Sequence, residues 1–265
     1  MKVGFIGCGN MATAIIKGVV ELKALDSNNI FVFDLDEKKT KSCASKFGVN
    51  AVSNEKELIS NVDAVVLAIK PKGFESLLPT IDEYLKDKKP LIISIAAGKT
   101  LDFISSFFSY KPALVRVMPN INAKVGEAMC AYCNNGLITD EHENLICTMF
   151  SSIGKVMKLD EQYFPLFGVI AGSAPAFAYL FIDSLARAAV KNGMSKQTAL
   201  EIAAQTVYGS AKLIMDGNEH PWELIDQVCS PGGTTIEGIT SLQADGFESA
   251  IERAVDAAVA KDKKI

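Results

Sequence analysis

Residues Val3–Ile6 form a short apolar run. Gly7-Cys8-Gly9-Asn10-Met11-Ala12 follow, and Thr13–Leu22 then bring apolar residues back at helical spacing. Strand, glycine turn and helix in that order constrain the fold more than any other stretch, because G-x-G-x-x-A carries meaning only in that context. Gly7 permits a tight turn, Gly9 omits the side chain that would block a pyrophosphate, and Ala12 lets helix pack closely on strand. The helix start offers free backbone N–H groups and its positive dipole end to phosphates. Ile6, Gly7, Gly9, Asn10 and Met11 are therefore candidate dinucleotide contacts. The competing possibility is a glycine turn that binds nothing.

The pattern continues along the first half. Strands are expected at Ile30–Phe33, Val49–Val52, Asp63–Ile69, Leu91–Ile95 and Ala113–Met118, with helices at Asp36–Phe47, Phe74–Leu85 and Leu101–Phe108. The Asp63–Ile69 run is apolar almost without interruption, as expected where helices cover both faces of a parallel sheet. Two edge strands are expected near Ala128–Tyr132 and Val156–Leu159, with a helix around Glu141–Phe150. Alternation of this kind gives an open, mostly parallel sheet of Rossmann type.

After Asp160 the strand runs stop. Helical stretches follow at about Pro165–Asn192, closed by Gly193, at Lys196–Met215 behind a Ser195 cap, from Pro221 to near Val228, and at Phe247–Lys261. Ser230–Thr235 reads as a turn leading into a further helix. The expected organisation is α/β overall, a mostly parallel Rossmann-type domain at residues 1–160 and an all-α domain at 161–265.

Composition narrows the function classes. The chain is 49% hydrophobic and 22% charged, which suits a sizeable core rather than disorder. A formal net charge of −4 gives no electrostatic reason to expect nucleic acid or an anionic membrane. Six cysteines are scattered rather than arranged as a framework, consistent with a reducing compartment and a cytoplasmic location. Cys130 and Cys133 spell C-x-x-C, but on a strand they face opposite sides, and with two histidines in the chain no zinc set is expected. Tyr163–Ile182 is free of charge for long enough to span a bilayer. Its Pro165, Gly168, Gly172 and Pro175, and its lack of flanking Lys/Arg bias, favour a buried subunit interface instead.

Ligands of open α/β sheets sit beyond the carboxyl ends of the strands. The residues there are Gly7–Met11, Asp34, Ala68-Ile69-Lys70-Pro71, Ala96 and Ala97, and Pro119 and Asn120. Asp34 lies at the distance expected for a carboxylate gripping a ribose 2′-OH, and a carboxylate there repels a 2′-phosphate. Lys38, Lys39 and Asn54 could still serve a phosphate, and Asp34 could instead cap the following helix. Lys70 could touch cofactor or substrate, or sit on a solvated rim.

VGFIGCGNMA, Ala68-Ile-Lys-Pro71, Ser94-Ile-Ala-Ala-Gly98, Met118-Pro-Asn-Ile-Asn-Ala123, Ala171-Gly-Ser-Ala-Pro-Ala-Phe177 and Cys229-Ser-Pro-Gly-Gly-Thr-Thr235 together resemble the pyrroline-5-carboxylate reductases. The last two are the most specific, and the resemblance runs from residue 1 to about 260. Ala174 departs from the family, which more often has glycine there. The resemblance implies NADPH- or NADH-dependent reduction of L-Δ1-pyrroline-5-carboxylate to L-proline, the last step of proline synthesis. It also implies a helical domain that forms a homodimer, and leaves open whether dimers assemble further and whether a partner completes the active site.

An imine accepts hydride better when hydrogen-bonded at nitrogen, so the site needs a donor there and a cradle for the carboxylate. Ser230, Gly232, Gly233, Thr234 and Thr235 could supply both. The glycines leave backbone N–H groups exposed at a helix start, and Thr235, by analogy with the family, hydrogen-bonds the ring nitrogen. Thr235 and Lys70 are the catalytic candidates. A hydroxy-acid dehydrogenase would be expected to carry a Lys or His on the first long helix of the second domain, and Pro165–Ile182 has neither. A nucleotide-sensing protein without catalysis is the alternative from another class.

Overall fold

The computed structural model describes residues 1–262. Its first part runs β1 (Val3–Ile6), α1 (Asn10–Glu21), β2 (Ile30–Phe33), α2 (Glu37–Phe47), β3 (Asn50–Ala51), α3 (Glu55–Asn61), β4 (Ala64–Leu67), α4 (Phe74–Lys88), β5 (Leu91–Ser94), α5 (Leu101–Ser105), β6 (Leu114–Met118), β7 (Ala128–Asn134), α6 (Asp140–Ser151) and β8 (Gly154–Lys158). The strands form one sheet in the order β3-β2-β1-β4-β5-β6-β7-β8. All neighbouring pairs are parallel except β6 and β7.

Successive strand residues serve two separate cores, one on each face of the sheet. Val3 and Phe5, Ala64 and Val66, Leu91 and Ile93 face one core, with Ile15 and Ile16 of α1 and Phe150 of α6. Ile6, Val65, Leu67 and Ile92 face the other, with Leu58 of α3 and Phe74, Leu78 and Ile81 of α4. Burial on both faces explains the unbroken apolar runs. Cys130 and Cys133 fall into different cores, so the C-x-x-C residues do face apart. Burial pushes both thiols up to about 12, which keeps them protonated.

Helix α3 is a correction to the sequence expectation, which left Ser53–Val62 without structure. Asn54 Oδ1 accepts from Glu57 N–H at 2.9 Å and Glu57 Oε2 accepts from Ser53 N–H at 2.8 Å. That reciprocal pattern is close to a capping box, and Asn54-x-x-Glu57 was the available signal. Helix α1 also begins earlier than its apolar periodicity suggested, at Asn10.

The second part is helical: α7 (Phe164–Phe167), a π-helical turn at Gly168–Ser173, α8 (Ala174–Lys191), α9 (Lys196–Asp216), α10 (Pro221–Val228), α11 (Thr234–Ala244) and α12 (Phe247–Asp262). The expected helix at 165–192 is thus interrupted by a wider turn. Pro175 has no N–H to donate to the carbonyl four residues back, that of Ala171. Asn120 Nδ2 donates to Ala171 O instead, at 2.8 Å. Contacts divide the chain into two compact units between Gly172 and Ser173. In the second, α8 and α9 bury Ala186, Ala199 and Ala203 against each other, flanked by Ile182 and Ala189.

Candidate active site

Strand register brings the sequence candidates of the first unit into one row. Ile6 lies beside Phe33 on one side and Leu67 on the other, Leu67 lies beside Ser94, and Ser94 beside Arg116. The residues that follow, Gly7, Asp34, Ala68 and Ile95, therefore leave the sheet at the same level. The chain turns back between β1 and β4, the switch point at which the ends of neighbouring strands diverge into a crevice. Lys70 and Pro71, Ala96 and Ala97, and Pro119 and Asn120 follow on the same rim.

The two glycines of the turn have different reasons to be there. Gly7 has φ +105°, and a Cβ on it would lie 2.5 Å from the Ala68 carbonyl oxygen. The fold itself demands glycine there. Gly9 is extended, with φ −74° and ψ −178°, and a Cβ on it would meet no atom within 4 Å. Nothing in the packing requires its glycine. Thr13 N–H to Gly9 O, at 2.9 Å, is the first bond of the α1 ladder, and no side chain caps the helix. The N–H groups of Asn10–Ala12 are left to an external acceptor.

Asp34 does not cap α2. That role belongs to Asp36, whose carboxylate accepts from Lys38 N–H. Instead Asp34 Oδ2 accepts from Cys8 N–H at 2.8 Å and Oδ1 from Asp36 N–H at 2.9 Å, so the carboxylate ties the glycine turn to the end of β2. Cys8 itself is buried, and its hydrogen bond with Cys43, with burial, holds its thiol well above the ordinary range. The Cys8 thiol at the turn is therefore held neutral.

A cavity of about 320 Å³ opens beside this carboxylate. Ile6, Gly7, Asp34 and Ile69 line it, so four of the sequence candidates share one cleft. Phe33, Leu35, Glu55, Gly73 at the N-cap of α4, and the α4 residues Ser76, Leu77 and Thr80 complete the lining, and none of them is a candidate from the sequence. Ser76, Leu77 and Thr80 share one helix face, but only the tertiary placement of α4 turns that face toward Asp34. Among the remaining candidates, Lys70 and Asn54 are exposed. Asn120 is buried, and its side-chain amide is spent inside the fold, on Ala171 O and on Met129 N–H at 3.2 Å. Only its backbone is left for a ligand.

Behind the rim, Arg116 is 5% exposed and pairs with Glu161 Oε1 at 2.8 Å. The same oxygen accepts from Leu101 N–H at 2.8 Å, and the guanidinium carbon sits 4.5 Å from the Phe164 ring centre. This cluster ties the start of α5, just beyond Ala96 and Ala97, to β6 and to the segment preceding α7.

In the second unit, Ser230–Thr235 is the turn expected. Gly232 has φ +66°, and a Cβ on Gly233 would lie 2.4 Å from Ser230 Oγ. Gly233 N–H donates to Ser230 O at 2.9 Å and caps α11 without any side-chain bond. Thr235 is half-buried in the first turn of that helix, and Ser230 and Thr234 are exposed. Six other helix starts are closed by side chains: Asp36 on α2, Asn54 on α3, Thr100 on α5, Thr139 on α6, Ser195 on α9 and His220 on α10; α4, α7 and α8 have no such cap and continue from a preceding helical turn.

Residues 161–265 match the family described as pyrroline-5-carboxylate reductase dimerisation, and residues 2–98 match one described as NADP oxidoreductase coenzyme F420-dependent. A pyrroline-5-carboxylate reductase from Aquifex aeolicus is 38% identical over the whole chain and 97% of its own length. The solved pyrroline-5-carboxylate reductase of Coxiella burnetii superposes with a TM-score of 0.94 at 30% identity, covering 99% of this chain and 97% of that one. The pyrroline carboxylate reductase of Plasmodium falciparum, solved with NADP bound, gives 0.87 at 31% identity, covering 100% and 97%.

Proposed function

The chain belongs to the pyrroline-5-carboxylate reductase family, and from that membership we propose that it reduces Δ1-pyrroline-5-carboxylate to proline with NADH or NADPH. The observation that carries the proposal is its pair of open, glycine-capped helix starts. Gly9 on α1 and Gly233 on α11 are extended N-caps with no side-chain bond, whereas six other helices are capped by side chains and the uncapped α4, α7 and α8 continue from a preceding helical turn. Each start presents N–H groups suited to an anion. A dinucleotide pyrophosphate fits the first and the carboxylate of a cyclic imino acid the second.

In the first unit, Ile6, Gly7, Gly9, Asn10 and Met11 hold the pyrophosphate, and Asp34 and Asn54 frame the adenosine end. Ala68–Pro71, Ala96, Ala97, Pro119 and the Asn120 backbone line the nicotinamide end. Bound NAD(P)H supplies the hydride that lands on the imine carbon. In the second unit, Ser230, Gly232, Gly233 and Thr234 cradle the substrate carboxylate, and the Thr235 hydroxyl donates to the ring nitrogen. A neutral hydroxyl polarises and orients an imine but is a poor outright acid at neutral pH, so the net proton comes through water or with the substrate. Lys70, exposed on the rim, stabilises charge near the reacting centre.

The protein is further proposed to act as a homodimer in the cytoplasm. The stretch Glu161–Lys191 is long and apolar enough to cross a membrane, and 17% of its most apolar window is buried within the chain. Tyr179 and Leu180 of α8, and Leu213 and Met215 of α9, are more than half exposed. A second copy of the helical unit, in a family with a dimerisation domain, would cover such a surface. Six free thiols suit a reducing compartment. The test is oxidation of NADH or NADPH by the purified protein on addition of fresh pyrroline-5-carboxylate, with proline identified as product. No turnover with either cofactor sinks the proposal.

A further inference from the structure

The adenosine end of the cleft carries two carboxylates and no positive charge. Resting on the reductase reading above, we propose that Asp34 and Glu55 together make this chain select NADH over NADPH. Asp34 and Glu55 both line the cavity next to Gly7, and none of the described residues lining it is basic. The Asp34 carboxylate is fixed in place by the N–H groups of Cys8 and Asp36, so it cannot swing aside from a ribose placed by the glycine turn. Glu55 is half-buried at the first position of α3.

The groups that could have welcomed a 2′-phosphate, Lys38, Lys39 and Asn54, all lie outside the cavity lining, and Lys39 faces Asp36 at 4.0 Å. A 2′-phosphate would add about two negative charges beside two carboxylates, in a cleft whose apolar walls weaken solvent screening. A ribose 2′-OH, in contrast, can donate a hydrogen bond to Asp34. The apolar residues Phe33, Leu35 and Leu77 offer flat contact for an adenine ring, the part the two cofactors share.

The test separates the adenosine end from catalysis by using ADP-ribose and 2′-phospho-ADP-ribose, which lack the nicotinamide, as calorimetric titrants beside NADH and NADPH. The expected result is that the unphosphorylated member of each pair binds tighter by at least roughly tenfold, the scale of one like-charge contact in a partly solvated cleft. Turnover should show the same preference in kcat/KM. Asp34→Asn, which keeps an oxygen for one loop N–H, and Glu55→Gln should each narrow the ratio, and the double variant should narrow it most. Equal or tighter binding of the phosphorylated probes by wild type overturns the proposal while leaving the reductase intact, and so does a ratio unchanged in the double variant. Binding of none of the four probes overturns the dinucleotide site itself.

Discussion

Replacing Gly9 by serine should move stability and cofactor affinity in opposite directions. Gly9 already has the extended backbone that a helix N-cap requires, and a Cβ there meets nothing within 4 Å. A serine hydroxyl at that position accepts from the Met11 or Ala12 N–H, which no residue now caps. The gain over glycine is a few tenths of a kcal/mol for the cap, and the lower entropy of the unfolded chain raises the total to about 0.3–1 kcal/mol. For a protein of this size that is roughly 1–3 °C in melting temperature. The same hydroxyl fills the space cleared for the pyrophosphate and takes its donor. Loss of one hydrogen bond to a charged group, about 1.5–3 kcal/mol, weakens dinucleotide binding by roughly 10- to 150-fold. Scanning calorimetry without cofactor and titration of nicotinamide fluorescence read the two effects separately. Wild-type affinity in Gly9→Ser would show that the open side of this turn is not the phosphate site. Lower stability with lower affinity would mean that Gly9 serves packing after all.

Three other perturbations test the remaining parts. Thr235→Ala should lower kcat on the order of 10²-fold, the scale of one polarising donor, with NAD(P)H affinity nearly unchanged and Thr235→Ser largely restoring turnover; parallel loss of binding would make the threonine structural. Glu161→Gln keeps an acceptor for Leu101 N–H but strands the buried Arg116, so denaturant unfolding should show a loss of about 3 kcal/mol. Adding Arg116→Met should recover much of it, and additive losses would contradict the charge-pair account. Hydrogen bonds from Lys158 and Tyr132 hold the Glu143 carboxyl below its usual range. A depressed pKa contributes stability above the unfolded-state value of 4.5 that is lost as pH falls through the folded one. Wild type should therefore lose its advantage over Glu143→Gln on acidification below that value, and a constant gap in acid-unfolding curves would refute the linkage.

Local chemistry made much of this protein legible in advance. The glycine turn, the apolar strands and the change to helices after Asp160 all depend on residues a few positions apart, and the structure has them. The helix at Glu55–Asn61 is hard to read from the sequence because it is short and lacks a long apolar period, leaving only its cap pattern, Asn54-x-x-Glu57, as a local signal. The π turn at Gly168–Ser173 was less accessible, since Pro175 announces a missing donor but not which residue will satisfy Ala171.

By itself the sequence determined where the parallel strands end, and so which residues can face a ligand, because strand period and turn chemistry are local properties. It also carried the two glycine stretches, Gly7–Ala12 and Ser230–Thr235, whose backbone freedom is written in the residue type. Only tertiary structure decided what each rim side chain is free to do. Asp34 turned out to brace the glycine loop, Asn120 to be locked inside the fold, and Glu55 to stand beside Asp34 in one cleft. Those assignments hang on hydrogen bonds and contacts between residues about 20 to 50 positions apart, and separation in sequence carries no record of which donor finds which acceptor.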